Sequence, residues 1–438
     1  MAGDHHREVD VNNWIKLTLG LLAGLAFSAV LAIVLVLRAL KPAPGEWTHT
    51  LQLGPWSQEI SVPAALHIAS HPFVLRLLEG RTLRTRYGAV QWQAVAAPNT
   101  WRAVCAPCTF QRRELGREAI RLSRVEFTVV PDMEMRLQGS FALGDAPQAL
   151  QGRWSSRIEK HQLTLSFSVA DEPAARAFAL FARDIPELGQ AQIEGRLSAK
   201  AQWVLPANEF ALKPRIDGLR VAGLGTEALL NAQPACGEAD GFGTWLPRAV
   251  IAAEDQRFYE HAGFDMSEIM AAWSGPNAGE MPRGASTLPQ QLAKLLYTGD
   301  SRSHGRKLRE LLYAVELDRT LGKARALNLY LAIAPWGDGR CGAHAAAHHY
   351  LRKAPEALTP MEAVWLATLL HNPDRELAQL ARNGVVNAER VDWVADQLRP
   401  VPRRERERLR EAAARWQPPR VALTAAMAVA ASQAAAGR

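Results

Sequence analysis

The sequence predicts an α+β multidomain protein with one apolar N-terminal helix, a long β-rich region and a mainly helical C-terminal region. Three observations predict this order: an early stretch without charged residues, a long segment of alternating apolar and polar residues, and helical periodicity from about residue 246. At 438 residues, the chain is long enough for two or three domains. The predicted segments are 1–13, a short N-terminus; 14–40, an anchor; 45–235, a β-rich domain; 240–400, a helical domain; and 401–438, an Arg/Ala-rich tail.

The early stretch without charged residues predicts a membrane anchor. Leu17 to Leu37 contains no charged residue, and its length suffices to cross a bilayer as a helix. It lacks a small-residue cleavage site, which favours an uncleaved anchor over a signal peptide. Lys16 precedes the span, and Arg38 and Lys41 follow it, so the flanking charges do not decide its orientation.

The overall charge narrows the classes of partner. The formal net charge is +7, which suits a nucleic acid, an anionic membrane surface or a phosphorylated substrate. The sequence has neither zinc-finger spacing nor the aromatic-basic motif of proteins that read single strands. Nucleic acid is therefore not predicted as a partner, whereas a membrane is.

The β-rich region is predicted from period-two alternation. Leu163 to Val169 and Gln192 to Val204 alternate apolar and polar residues, as half-buried antiparallel strands do. A short helix is predicted near Glu172 to Arg183. No chemical motif stands out here, so the expected role is that of a scaffold or a partner-docking module.

Four cysteines are present. Cys105 and Cys108 form a CxxC motif, but zinc needs more ligands than one such pair supplies, and a thioredoxin-like context is missing. A local disulfide is the favoured interpretation. The sequence leaves open whether Cys236 pairs with Cys341.

The C-terminal region shows helical periodicity. Apolar residues recur three and four positions apart in Leu246–Glu260, Gln290–Leu296, Lys307–Arg319, Ala324–Ala334 and Pro360–Leu370. The first of these helices is expected to place Glu254, Phe258 and His261 on one face. For the charge run Arg403 to Arg410, a solvated helix is favoured over binding of anionic lipid headgroups.

Residues 254 to 310 carry the chemistry. They hold the blocks Glu-Asp-Gln-Arg-Phe-Tyr-Glu-His-Ala-Gly (254–263), Gly-Ala-Ser-Thr-Leu-Pro-Gln-Gln (284–291) with Lys294, and Arg-Lys-Leu-Arg-Glu (306–310). Two acids are thus separated by a polar loop and several cations. This pattern suits a reaction in which a carboxylate takes a proton and a phosphate-type anion departs. Simpler interpretations exist for parts of it: Thr287 and Gln290 also form a capping box, and Arg306 and Glu310 are spaced like a surface ion pair.

The three blocks, in this order, closely resemble the peptidoglycan glycosyltransferase family, over roughly residues 243 to 375. The resemblance implies a lysozyme-like, mainly α catalytic domain that polymerises lipid II. Because lipid II is polymerised outside the cytoplasmic membrane, it also implies a single-pass protein of the bacterial inner membrane, with a cytoplasmic N-terminus and both domains in the periplasm. The implied partners are lipid II, the growing glycan strand, the inner membrane and other cell-wall synthesis proteins.

The resemblance also implies roles for individual residues. Glu254 matches the general base, and Glu310 matches the second glutamate, which assists at the leaving group or its bound cation. No cofactor is required, and a role for a divalent cation, Mg or Mn, stays open. The implied substrate-binding residues are Asp255, Phe258, His261, Ser286, Thr287, Gln290, Gln291, Lys294, Arg302, Arg306, Lys307 and Arg309.

No Ser-x-x-Lys motif occurs in the chain, so a polymerase without a transpeptidase is predicted. Two alternatives stay open. A lytic peptidoglycan hydrolase would need an acid to protonate an alkoxide, and would not need the cations. A non-enzymatic envelope scaffold with a degenerate site is favoured by Asn328 and Ala332, where many family members have Glu and Asn.

Overall fold

The computed structural model describes residues 11–53, 56–110, 119–132, 136–181, 185–269, 286–299, 304–413 and 415–436. The predicted site residue Arg302 lies outside these ranges. Helix α1 (Val11–Ala39) contains a stretch, Lys16–Ala39, that is long and apolar enough to cross a membrane by length and composition. Within the described ranges no second helix meets that criterion, so the structure agrees with one N-terminal apolar helix.

The β-rich region is built on one large antiparallel sheet. The strands of the whole region are β1 Thr48–Leu53, β2 Trp56–Ser61, β3 Thr82–Thr85, β4 Gly88–Ala94, β5 Trp101–Cys105, β6 Cys108–Phe110, β7 Ile120–Leu122, β8 Val125–Pro131, β9 Leu137–Leu143, β10 Leu150–Ile158, β11 Leu163–Pro173, β12 Gln192–Leu205 and β13 Glu209–Ala222. Nine of them form the sheet, in the order β13-β12-β11-β10-β9-β8-β5-β4-β3. The strands predicted from alternation are therefore confirmed.

Short helices and two disulfides accompany the sheet. The helices are α2 Val62–Ser70, α3 Pro72–Leu77 and α4 Ala174–Phe181. Helix α4 is the one predicted near Glu172 to Arg183, although Glu172 itself still belongs to β11. Cys105 and Cys108 form the predicted local disulfide. Cys236 and Cys341 also pair, which ties the segment after β13 to the helical region.

The helical region follows. Its helices are α5 Trp245–Glu254, α6 Leu288–Ala293, α7 His304–Ile333, α8 Ala343–Leu351, α9 Pro360–Thr368, α10 Pro373–Asn383, α11 Ala388–Gln397, α12 Arg403–Ala413 and α13 Arg420–Ala436. The predicted helices 307–319 and 324–334 are two halves of α7, which is kinked at Gly322 (φ 70°, ψ 167°). Phe258, Trp336 and Tyr350 are fully buried in the core.

The last strand of the sheet packs on the helical region. Leu219 and Val221 of β13 belong to the same buried cluster as Leu246 of α5. Beside them, the carboxylate of Glu316 on α7 is fully buried. It accepts hydrogen bonds from the Leu224 and Thr226 amides, at 2.9 and 3.2 Å, and from the Thr226 hydroxyl at 2.9 Å. The sheet is thereby attached to the helix that carries Glu310.

Candidate active site

Glu254 is the last residue of α5, and its side chain is only 9% exposed. The Gln291 side-chain amide donates a hydrogen bond to Glu254 Oε2 at 2.9 Å. The Arg390 guanidinium lies 3.6 Å from Oε1. Burial raises the pKa of Glu254 to about 7, the negative charge of Asp255 adds to the rise, and Gln291 and Arg390 oppose it. Glu254 is therefore a carboxyl group that exchanges a proton near neutral pH.

The predicted extension of this helix to Glu260 is wrong. The helix ends at Glu254 because Asp255 adopts an extended conformation (φ −159°, ψ 75°). Its carboxylate accepts from the Leu288 amide at 2.8 Å and contacts His261 Nε2 at 2.9 Å. Phe258 and His261 thus do not share a helical face with Glu254. Instead, Asp255 ties the turn that follows α5 to the start of α6.

The start of α6 has the predicted capping box. The Gln290 amide donates to Thr287 Oγ1 at 3.3 Å, and the Thr287 amide donates to Gln290 Oε1 at 3.0 Å. The Thr287 hydroxyl also donates to the Gly263 carbonyl at 2.6 Å. Gln290 is 1% exposed and serves this cap, so the glutamine that meets Glu254 is Gln291.

A second acid, Glu310, lies on α7 and is 2% exposed. Arg306 forms an ion pair with it, and Lys307 Nζ lies 3.0 Å from its Oε2. The pair of Arg306 and Glu310 is thus buried rather than on the surface. Lys307 also donates to the Ser286 hydroxyl, directly before the α6 cap.

Lys307 is an unusually weak base. Its burial, and then the positive charges of Arg306 and Lys294, lower its pKa to about 8. Lys294 follows α6 and is half-buried. We call Lys294, Arg306 and Lys307 the cation cluster. Because α6 carries Gln291 at one position and is followed by Lys294, it connects Glu254 to this cluster.

Arg309 does not join the cation cluster in the structure. Its guanidinium contacts Glu187 Oε1 at 2.6 and 2.7 Å. Glu187 lies in a 3₁₀ turn, Pro186–Gly189, between α4 and β12, and its side chain is 5% exposed. A role for Arg309 in substrate binding stays a prediction. The geometry shows a partly buried ion pair between the β-rich region and the helix of Glu310.

Sequence reasoning missed two neighbours of Glu254. Arg390 lies on α11, beyond the recognised blocks, and donates to the Ala253 carbonyl at 2.9 Å. Tyr330 is buried, and its hydroxyl donates to Gln291 Oε1 at 2.8 Å, which leaves the Gln291 amide nitrogen for Glu254. Burial and the charge of Glu254 raise the pKa of Tyr330 well above its usual range. Tyr330 lies between Asn328 and Ala332, two positions already compared with the family, but nothing in the sequence indicates Arg390.

The Arg-rich tail forms helix α12, and its charges are partly paired. Arg403 contacts Glu407 and Arg410 contacts Asp392, in both cases at 2.7–2.8 Å. These side chains are all more than 40% exposed, which fits the favoured interpretation of a solvated helix.

The comparison with protein families matches the helical region. The family model described as Transglycosylase matches residues 231–399. That match begins after β13 and includes Glu254, Gln291, the cation cluster, Glu310 and Arg390. It leaves the β-rich region unmatched.

Curated relatives give the same result. The biosynthetic peptidoglycan transglycosylase of Nitrosomonas eutropha is 42% identical over 129 residues, which are 29% of this chain and 53% of the relative. That of Escherichia coli is 41% identical over 160 residues, 36% of this chain and 65% of the relative. That of Marinomonas sp. is 40% identical over 163 residues, 36% of this chain and 70% of the relative. The chain thus spans between about half and 70% of the length of these relatives.

Proposed function

The chain belongs to the peptidoglycan glycosyltransferase family, and from that premise we propose that it polymerises lipid II into glycan strands by inverting glycosyl transfer. Its mainly α catalytic domain is proposed to be lysozyme-like, and the activity to be that of a polymerase without a transpeptidase. The observation that carries the proposal is Glu254, a carboxylate with a pKa of about 7. It contacts α6, the helix that is followed by Lys294 of the cation cluster.

Glu254 is proposed as the general base. A sugar hydroxyl is a poor nucleophile until its proton is removed, and a base works best with a pKa near the working pH. The value of about 7 meets that condition, whereas an ordinary glutamate near 4.5 is a much weaker base. Gln291 holds Oε2, and Oε1 has no hydrogen-bond donor among the described residues. Oε1 is therefore the carboxylate oxygen that can still accept a hydrogen bond, and we propose that the acceptor hydroxyl supplies it.

The cation cluster is proposed to stabilise the leaving group. As the acceptor oxygen bonds to the anomeric carbon of the donor sugar, the bond from that carbon to the polyprenyl diphosphate breaks. The proton passes to Glu254, and the electron pair of the broken bond stays on the diphosphate. Fixed positive groups favour that transition state because negative charge accumulates beside them. A single displacement of this kind inverts the anomeric centre.

Glu310 is proposed to position the cation cluster rather than to accept the proton. Its carboxylate is buried between Arg306 and Lys307, and such pairing holds both side chains in one geometry. The other predicted residues would shape the pocket: Asp255 and His261 through the turn after α5, and Ser286 through Lys307. Arg302 and Arg309 stay predicted contributors to diphosphate binding.

No required cofactor is proposed. A divalent cation, Mg or Mn, bound near the cation cluster would have Glu310 as its carboxylate ligand. Glu310, however, already forms ion pairs with Arg306 and Lys307. Among the described residues, no group of three His, Cys, Asp or Glu side chains is placed to hold a metal ion. Because Glu310 is engaged with Arg306 and Lys307, we assign stabilisation of the diphosphate to the cation cluster.

The proposed setting is the bacterial inner membrane. Helix α1 would anchor the chain, with residues 1–13 in the cytoplasm and both domains in the periplasm, where they meet lipid II, the growing strand and other cell-wall synthesis proteins. The apolar helix and the family membership support this placement.

The test is to incubate the detergent-solubilised full chain with labelled lipid II and to size the products on a gel. Polymeric strands whose formation is blocked by moenomycin, which mimics the donor strand of the family, would support the proposal. Release of soluble fragments from sacculi, with lipid II left intact, would instead identify a lytic hydrolase. Neither activity, with no binding of moenomycin, would identify a scaffold with a degenerate site.

A further inference from the structure

One face of the large sheet carries a groove of about 780 Å³ that is lined by Arg153, Lys200 and Lys213, far along the chain from the candidate active site. Its floor is a row of residues paired across five neighbouring strands. Direct antiparallel partners point their side chains to the same face. The successive partners in this row are Ser140, Arg153, Ser168, Lys200 and Lys213. A second row on the same face runs parallel to it and consists of Gln138, Ser155, Ser166, Gln202 and Ala211.

The groove concentrates positive charge. Arg153, Lys200 and Lys213 all line it, and all three side chains are exposed. Lys200 and Lys213 are directly opposite each other on β12 and β13, an arrangement that destabilises a sheet because like charges repel. Among the residues that the structure describes, none of the three forms an ion pair with a carboxylate. By contrast, Arg215 and Arg220 of β13 each pair with a carboxylate. The unneutralised row has the charge that an anionic ligand requires.

The other side chains of the groove indicate the class of ligand. The two rows supply serine hydroxyls and glutamine amides, which donate to and accept from sugar hydroxyl and acetamido groups. The apolar side chains of these rows are Ala211 and, on β8 opposite Gln138, Val130. Five strands span about 19 Å from first to last, at about 4.8 Å per step, which accommodates an extended chain rather than a single small ion.

From the charge, the hydrogen-bonding groups and the length, we propose that this groove binds a carboxylate-bearing saccharide chain, the growing glycan strand with its peptide stems. The identity of that strand rests on the proposed function. The β-rich domain then serves to retain the polymer that the helical domain makes. The cations contact the stem carboxylates, and the serine and glutamine side chains contact the sugars.

The test measures binding without requiring polymerisation. The full chain, solubilised in detergent, is titrated into fluorescently labelled, uncrosslinked glycan strands, and anisotropy gives Kd. The groove variant combines Arg153→Thr, Lys200→Thr and Lys213→Thr, since threonine keeps the strand preference. Its Kd is expected to rise about tenfold or more, and the affinity of the parent chain should fall as salt is added.

A charge-matched control variant removes three exposed cations near the far edge of the sheet, through Arg76→Gln, Arg81→Thr and Arg84→Thr. It should bind strands like the parent chain. Because the groove variant removes the repulsion between Lys200 and Lys213, its thermal midpoint should stay equal to or above that of the parent, which separates lost binding from lost folding.

An unchanged Kd for strands in the groove variant would overturn the inference. If that variant had also lost binding to short-chain phosphatidylglycerol, the groove would be a lipid-headgroup site. Failure of the chain to polymerise lipid II would count against the proposed function alone, because strand binding is measured separately.

Discussion

Removing the positive charge of Arg390 should shift the pH dependence of the proposed reaction. Arg390 lies 3.6 Å from Glu254 Oε1, and its charge opposes the rise of the Glu254 pKa. An opposite charge at about 4–6 Å lowers a carboxyl pKa by about 1–3 units. Because Oε1 accepts no hydrogen bond among the described residues, we take the lower end, about one unit or about 1.4 kcal/mol. The variant Arg390→Gln should therefore move the pKa of Glu254 from about 7 toward about 8.

The effect on rate follows from the ionised fraction of the base. At pH 6.5, a pKa of about 7 leaves roughly 24% of Glu254 ionised, and a pKa of about 8 leaves roughly 3%. The initial rate of lipid II polymerisation at pH 6.5 should therefore fall about eightfold, whereas at pH 9 the loss should be about a tenth. The assay is kcat/KM against pH with labelled lipid II.

Arg390 also donates to the Ala253 carbonyl and lies over the Trp393 ring, so a control for packing is needed. Arg390→Lys keeps the charge, and its pH profile should stay close to that of the parent chain. An equal loss of rate for Arg390→Gln at pH 6.5 and pH 9 would refute the electrostatic reasoning, because it would mean that only the geometry had changed.

Further predictions concern three other contacts. Because the pKa of Lys307 is about 8, kcat/KM should fall above pH 8 as Lys307 loses its charge. The variant Lys307→Arg keeps its charge at high pH and should not show that fall. A kcat/KM of the parent chain that stays flat to pH 10 would contradict this prediction. Glu187→Gln should lower the unfolding free energy in urea by about 1–3 kcal/mol, since Arg309 loses its partner, and the loss should shrink in an Arg309→Gln background. Replacing Cys236 and Cys341 by serine should lower the unfolding free energy by about 2–5 kcal/mol. The same change at Cys105 and Cys108 should lower it less, because that disulfide closes a loop with a sequence separation of 3 rather than 105 residues.

The sequence predicted those features that depend on local patterns. Alternation of polar and apolar residues located the main strands, since the side-chain period of a strand is two. The capping box at Thr287 appeared as predicted because it is built from residues three apart. The family resemblance implied substrate-binding roles for Gln290 and Gln291, and in the structure the Gln291 side-chain amide donates to Glu254 at 2.9 Å.

Local sequence patterns did not predict contacts between residues far apart in the chain. The end of α5 was misplaced because the residues after Glu254 keep helical periodicity, whereas the tertiary contact of Asp255 with the Leu288 amide favours an extended conformation. Arg390 is 136 residues from Glu254 and lies in no recognised motif, so its approach depends on how α11 packs on α5. The pairing of Arg309 with Glu187 joins two regions that the sequence presented as separate domains.

The role of Glu254 as general base is tested by the polymerisation rate of Glu254→Gln with labelled lipid II at pH 8. We expect a loss of about a hundredfold or more, because the substituted amide cannot take the proton. The variant should remain folded. The pKa of Glu254 is about 7 in the folded chain and near 4.5 in the unfolded chain, so ionising Glu254 destabilises the folded chain increasingly between pH 4.5 and pH 7. At pH 8 the uncharged variant should therefore have an unfolding free energy up to about 3 kcal/mol higher than that of the parent chain. Polymerisation by this variant at the parental rate would contradict the account.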